Sequence, residues 1–265
     1  MNIVQVVLTS IIFMALLGLF SGALLAFASI VFAVKTDPRL EEVEKALPGV
    51  NCGACGYAGC KLYAKALLSG GNPTLCKLGG EETAKKVADI LGIKEYEITK
   101  AKAIILCGAG RELCEERSSY SGERTCRANM FTSGGSSSCV YGCLAYGDCA
   151  LVCPVDAFTV REKLPPIIDR NKCIGCGKCI AECPRKMIVL EDEGHKTFVL
   201  CFSNDKGAYV KKICKVGCTA CRICVSTCPG GSMTMTGRLP KPNYQNEPTD
   251  ECIKKCPQST IVKYT

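Results

Sequence analysis

The fold of this chain is decided by two cysteine-rich segments, CVYGCLAYGDCALVCP (residues 139–154) and CIGCGKCIAECP (residues 173–184). Each segment ends in Cys-Pro, at Cys153 and at Cys183. The second has the spacing C-x2-C-x2-C-x3-C-P, which lets three thiolates surround one face of a [4Fe–4S] cluster. Two glycines between them allow the backbone to pass close to the cluster, and the proline turns the chain away. The pattern indicates electron transfer.

Runs with this spacing are typical of bacterial ferredoxins, in which the last cysteine of each run ligates the cluster of the other run. Zinc is the alternative, since C-x2-C pairs also bind zinc. A zinc site does not explain three equally spaced cysteines followed by Cys-Pro. The sequence therefore favours iron–sulfur clusters.

The composition limits the compartment and the chemistry. Cysteine accounts for 23 of the 265 residues, Trp is absent and His195 is the only histidine. Clustered cysteines without a cleavable signal sequence indicate a reducing compartment, where thiolates stay free to bind iron. A histidine-based metal site or catalytic triad is nearly excluded.

The net charge of +8 has two interpretations. Basic residues run through the cysteine-rich half: Lys172, Lys178, Arg185, Lys186, Lys211, Lys212, Lys215 and Arg222. They are interpreted either as a solvated face that offsets anionic clusters or as a dock for an acidic protein. No nucleic-acid partner is expected, because no basic helix or aromatic-interleaved motif accompanies the charge.

Residues 3–34 form an uncharged apolar stretch that is long enough to cross a membrane. A signal peptide is the alternative, but it would have a basic n-region and a shorter apolar core. An uncleaved, single-pass anchor in membrane lipid is preferred. Lys35 and Arg39 follow it, so the positive-inside rule predicts that the rest of the chain lies in the cytoplasm.

A second cysteine pattern follows the anchor. Its spacing is C-x2-C-x4-C-x15-C, with Cys52, Cys55, Cys60 and Cys76 among glycines and helical segments. The four cysteines predict one [4Fe–4S] cluster on a small helical domain. Four-cysteine zinc is a more serious alternative here than in the later runs.

Two motifs, NCGACGYAGC (residues 51–60) and CVYGCLAYGDC (residues 139–149), resemble the B subunit of the Rnf complex. That membrane assembly couples electron flow between reduced ferredoxin and NAD to sodium or proton translocation. The resemblance covers nearly the whole chain, and it implies a [4Fe–4S] cluster in the four-cysteine domain. It also implies a relay that has no substrate pocket of its own.

On this resemblance the chain is expected to be a subunit of an ion-translocating ferredoxin:NAD oxidoreductase in the cytoplasmic membrane. It would accept electrons from soluble ferredoxin and pass them to other membrane and flavin-bearing subunits, with no complete NAD site of its own. An alternative is a membrane-anchored iron–sulfur protein that reduces a redox sensor or serves in cluster assembly. A zinc-rich adaptor is a third interpretation.

The same resemblance accommodates the longer spacing of the first run, and the crossover rule then assigns two clusters. One is expected to be held by Cys139, Cys143, Cys149 and Cys183. The other is expected to be held by Cys173, Cys176, Cys179 and Cys153.

A third run is incomplete. One conventional cluster is predicted from Cys218, Cys221, Cys224 and Cys256, but Asn246 and Thr249 occupy the positions of two further ligands. Cys228 and Cys252 should then face each other across a degenerate site. They could be free thiols, a disulfide, or ligands with Asp250, and a reducing cytoplasm favours free thiols.

Five cysteines belong to no standard run: Cys107, Cys114, Cys126, Cys201 and Cys214. Because Cys107 and Cys201 each end a strand-like segment, the hypothesis is that Cys107, Cys126, Cys201 and Cys214 share an additional cluster. The alternative is that they are small buried hydrophobic residues. Four [4Fe–4S] clusters are thus expected, or five with this one.

The predicted fold is α+β, with a single N-terminal transmembrane helix, a small helical [4Fe–4S] domain and two tandem bacterial-ferredoxin-like units. The predicted boundaries are 1–34 for the anchor, 35–99 for the four-cysteine domain, 100–138 for an irregular connector with a strand, 139–195 for the first unit and 196–265 for the second.

Overall fold

A computed structural model describes residues 3–32, 37–94, 96 and 100–264. The chain separates into two compact units, one ending at Glu42 and the other beginning at Val43. In the first unit, helix α1 runs over Ile3–Val31 (29 residues), about 44 Å at 1.5 Å per residue. Its segment Val7–Val31 is long and apolar enough to span a membrane, and none of it is buried within the protein. The end of the predicted anchor and Lys35 lie outside the described residues.

The small helical domain contains the helical segments that the sequence predicts. Helix α2 (Arg39–Ala46) begins where the Asp37 carboxylate accepts a hydrogen bond from the backbone N–H of Arg39 at 2.9 Å. Helix α3 (Cys60–Leu68), a 3₁₀ turn (Pro73–Leu75) and helix α4 (Gly80–Leu91) follow.

The next part of the chain contains an outer strand pair and, between its two strands in sequence, a short hairpin. Strand β1 (Ala101–Ile105) pairs antiparallel with β4 (Ile188–Asp192), and β2 (Phe158–Thr159) pairs with β3 (Ile167–Ile168). The short helices are α5 (Cys126–Phe131), α6 (Asp148–Leu151) and α7 (Lys178–Glu182). The strand predicted in the connector is confirmed. Because it pairs with β4, the predicted boundary at residue 139 divides one strand pair.

The C-terminal part repeats this order. Strand β5 (Thr197–Val199) pairs with β8 (Ile261–Lys263), and the hairpin is β6 (Met233–Thr236) with β7 (Leu239–Pro242). Its helices are α8 (Gly207–Ile213), α9 (Ile223–Thr227) and α10 (Asp250–Lys254). In both parts an outer antiparallel pair encloses two helices, a hairpin and a third helix.

Cysteines make up much of the core between these elements. One buried cluster joins seven cysteines to apolar side chains such as Ile105, Met187 and Ile188. Its cysteines are Cys107, Cys114, Cys139, Cys149, Cys173, Cys179 and Cys214. Since hydrophobic packing surrounds these seven thiols, the fold shields them from water.

Candidate metal centres

The N-terminal site brings together the four predicted cysteines of the small helical domain, Cys52, Cys55, Cys60 and Cys76. The side-chain carbonyl of Asn51 accepts a hydrogen bond from the backbone N–H of Cys60 at 2.8 Å and anchors the start of α3. Burial raises the pKa of the Cys76 thiol, and its three partners raise it further. The four thiols are therefore close enough to interact with one another.

The second ferredoxin site is a cavity lined by Cys153, Cys173, Cys176 and Cys179. The backbone N–H of Ala157 donates to Cys153 Sγ, and that of Ala103 donates to Cys173 Sγ, each at 3.4 Å. Such N–H···S hydrogen bonds tune the potential of a cluster. The structure places Cys153 with the other run, as the crossover rule predicts.

The loop that presents this run needs glycine. Gly175 has φ +67°, and a Cβ there would collide with the carbonyl oxygen of Ala101. In the C-terminal run, Ala220 occupies the position of Gly175 and has φ +54°. Arg222 occupies the position of Gly177, and both have positive φ, +63° for Arg222 and +77° for Gly177. The two parts thus repeat one loop conformation, at a strain cost in the C-terminal copy.

The first ferredoxin site is lined by Cys126, Cys143, Cys149 and Cys183. This corrects the predicted set, in which Cys139 took the place of Cys126. The buried carboxylate of Asp148 accepts hydrogen bonds from the backbone N–H groups of Cys126 at 2.8 Å and Arg127 at 3.1 Å. These bonds hold the start of α5 against α6. Burial and the neighbouring Cys126 raise the pKa of Cys149 to about 12.

The connector site is a cavity lined by five cysteines, of which Cys107, Cys114, Cys139 and Cys214 are buried and Cys201 is partly buried. It differs from the hypothesised set, which contained Cys126 and Cys201. Cys126 is held at the first ferredoxin site by Asp148. The irregular spacing gave no signal for Cys114, because its partners come from distant segments.

The C-terminal site is lined by Cys218, Cys221, Cys224 and Cys256, so the structure brings the predicted set together. Burial raises the pKa of Cys218 to about 11, with nearby thiols adding to the effect. Cys221 is exposed. This site therefore reaches the protein surface.

The degenerate site beside it is filled by protein groups. Cys228 and Cys252 form a disulfide, which corrects the preference for free thiols. Asn246 donates through its side-chain amide to the carbonyl of Gly230 at 2.9 Å. The Thr249 hydroxyl caps α10 by accepting from the backbone N–H of Cys252 at 3.4 Å. The two residues that replace ligands thus stabilise the loops instead.

The donor sets fit iron–sulfur clusters chemically. Burial raises the pKa of several thiols, including Cys143, Cys179 and Cys224, so these thiolates form when a metal cation replaces the proton. In the part of the chain that is described, no group of three or more Cys, His, Asp or Glu side chains has the geometry of a site for a single metal ion.

The basic residues divide into two sets. Those exposed to solvent are Lys172, Lys186, Lys211, Lys212, Lys215 and Arg222, and Lys178 is half-buried. Arg185 is different, because it is only 8% exposed. Its assignment to a solvated face or a surface dock is therefore wrong.

Comparisons with known proteins agree with these sites. A family described as "Putative Fe-S cluster" matches residues 47–78, and the 4Fe-4S binding domain family matches residues 166–189. Together with the thiol-lined cavities, these matches define an iron–sulfur electron-transfer protein.

Three relatives resemble the chain over most of its length. The B subunit of the Na⁺-translocating ferredoxin:NAD⁺ oxidoreductase complex of Acetobacterium woodii is 38% identical over 92% of this chain and 74% of the relative. The B subunit of the ion-translocating oxidoreductase complex of Methanosarcina acetivorans is 35% identical over 97% of this chain and 98% of the relative. The B subunit of the proton-translocating ferredoxin:NAD⁺ oxidoreductase complex of Clostridium ljungdahlii is 34% identical over 80% of this chain and 75% of the relative.

The chain belongs to the family of B subunits of ion-translocating oxidoreductase (Rnf) complexes. It is an iron–sulfur protein that relays electrons.

Proposed function

We propose that this chain takes electrons from reduced soluble ferredoxin and passes them to membrane and flavin-bearing partner subunits. Those partners reduce NAD and translocate sodium or protons. [4Fe–4S] clusters supply the chemistry, since each accepts and releases one electron. The observation that carries the proposal is the set of thiol-lined cavities in the core.

Four sets of cysteines would hold these clusters on a helical domain and two tandem ferredoxin-like units. They are Cys52, Cys55, Cys60 and Cys76; Cys126, Cys143, Cys149 and Cys183; Cys153, Cys173, Cys176 and Cys179; and Cys218, Cys221, Cys224 and Cys256. Each set offers four thiols, the usual ligation of a [4Fe–4S] cluster.

Contacts between neighbouring sites support a relay. Cys76 of the N-terminal site and Cys173 of the second ferredoxin site line one cavity. Cys149 of the first ferredoxin site interacts electrostatically with Cys179 of the second. Three sites therefore follow one another without an intervening domain.

The entry point for electrons is proposed to be the surface around the C-terminal site. Cys221 and Arg222 are exposed there, and exposed Lys211, Lys212 and Lys215 lie on or just after α8. A basic surface steers an acidic ferredoxin towards it. The protein would keep this face in the cytoplasm, with α1 as its membrane anchor.

Charge reversal tests the docking surface. Lys211→Glu with Lys212→Glu should slow reduction by ferredoxin at low salt by about tenfold, with a smaller effect at high salt. Lys85→Glu with Lys94→Glu, two exposed lysines of the helical domain, is the matched control. Equal rates for both variants would overturn this dock.

A further inference from the structure

We propose that the connector site holds a fifth iron–sulfur cluster, with Cys107, Cys114, Cys139 and Cys214 as its ligands. The inference rests on the proposed function of the chain as an iron–sulfur relay. Neither family match, over residues 47–78 and 166–189, includes any of these cysteines.

The backbone brings two distant segments together at this site. Cys114 and Cys214 pair as an antiparallel bridge. The backbone N–H of Glu115 donates to the carbonyl of Ile213 at 2.7 Å, and that of Lys215 donates to the carbonyl of Leu113 at 2.9 Å. Two thiols that are far apart in sequence are therefore fixed beside each other.

Cys139 and Cys107 complete the group. The thiols of Cys139 and Cys214 line the same cavity as the Cys114 thiol and interact with it. Cys107 interacts electrostatically with Cys139 and with Cys214. All four are buried in one core cluster.

Polar donors and open space favour a cluster over a purely apolar core. The backbone N–H of Cys143 donates to Cys107 Sγ, and the Ser137 hydroxyl donates to Cys114 Sγ, each at 3.4 Å. A Cβ on Gly142 would lie 3.5 Å from Cys139 Sγ, and one on Gly217 would lie 3.2 Å from Cys214 Sγ. Glycine thus keeps space free beside two of the sulfurs.

A buried cation is a second, independent observation. Arg185 donates to the carbonyls of Cys139 at 2.9 Å and Gly134 at 2.8 Å, and its Nε has no partner. No carboxylate among the described residues forms an ion pair with it. Burying an unpaired charge is costly, and a cluster with four thiolate ligands would supply the compensating negative charge.

Cys201 is assigned as a neighbour and not as a ligand. It lines the same cavity but packs in a different core cluster, with Val199 and Cys224. It also interacts electrostatically with Cys218. The connector site therefore contacts the first ferredoxin site at Cys143 and approaches the C-terminal site at Cys201. A cluster at the connector site would link these two sites.

Iron and acid-labile sulfide counts on the anaerobically purified full-length chain test the inference. We expect about 20 iron atoms per wild-type chain, five clusters of four. Cys114→Ser and Cys214→Ser should each lower the count by about four, while Cys201→Ser leaves it unchanged.

A wild-type count of about 16 would overturn the fifth cluster, and this outcome does not depend on whether a variant folds. Loss of about four iron atoms from Cys201→Ser would overturn the ligand set. A wild-type chain without iron would instead overturn the proposed function.

Discussion

At the scale of single residues, Arg185 is the most informative side chain. Burial lowers the pKa of its guanidinium, and the nearby Cys139, Cys143 and Cys107 oppose that shift. The side chain lines the first ferredoxin site and also bonds to the carbonyl of Cys139 at the connector site. The Arg185 guanidinium therefore lies beside two groups of thiols.

Removing this charge should lower a cluster potential. A positive charge stabilises the reduced cluster, which is the more negative state. Arg185→Met should therefore lower the midpoint potential of an adjacent cluster by about 60 mV, which corresponds to a tenfold change in the equilibrium constant of a one-electron couple. Arg185→Lys should restore most of the lost potential, because it keeps the positive charge. Redox titration of the full chain measures the shift, with Arg124→Met at an exposed position as the control. Unchanged potentials in Arg185→Met would contradict a role for this charge.

Local spacing predicted most cysteine neighbours but not the exchange of Cys126 and Cys139. Cys173, Cys176 and Cys179 lie within one short loop, so their spacing determines their proximity. Cys126 reaches its cavity because Asp148 binds the start of α5 from 22 residues away. Such a contact between segments leaves no periodic signal in the sequence.

At the scale of elements, strands β1 and β5 were predictable from the sequence and their partners were not. The apolar runs before Cys107 and Cys201 predicted β1 and β5. Their pairing with β4 and β8 depends on closure of each chain segment around its hairpin. Side-chain alternation specifies a strand but does not specify the strand across from it.

The disulfide between the end of α9 and α10 takes the place of cluster ligation. It closes a loop with a sequence separation of 24 residues, so Cys228→Ser with Cys252→Ser should lower the free energy of unfolding by about 3 kcal/mol. The iron count should not change, because neither cysteine is a proposed ligand. Chemical denaturation and iron analysis measure the two effects. A loss of iron with no loss of stability would show that the pair binds metal.

Helix α1 should anchor the protein in a membrane. Leu16 and Leu17 lie near its centre and are both 60% exposed. Replacing both with lysine should cost about 5 to 7 kcal/mol of insertion free energy and move the chain to the soluble fraction. Leu16→Ile with Leu17→Ile is the control. Retention of the lysine variant in washed membranes would count against a spanning helix.

At the scale of the whole molecule, three of the sites form a connected series that begins at the helical domain. Contacts join the N-terminal site to the second ferredoxin site, and that site to the first. The connector site would extend the series to the C-terminal site. The sequence predicted four sets of cysteines, one of which contained Cys139 where the structure places Cys126. The hypothesised fifth set shares Cys107 and Cys214 with the proposed one, and only the folded chain brings Cys114 and Cys139 beside them.

The central claim is that this chain relays electrons that it receives from ferredoxin. The most direct test is to mix the anaerobically purified, full-length chain with reduced ferredoxin and to follow its visible iron–sulfur absorbance. We expect ferredoxin to bleach most of the absorbance that a strong chemical reductant bleaches. If the chemical reductant bleaches the chain while ferredoxin leaves its absorbance unchanged, the proposed relay from ferredoxin is contradicted.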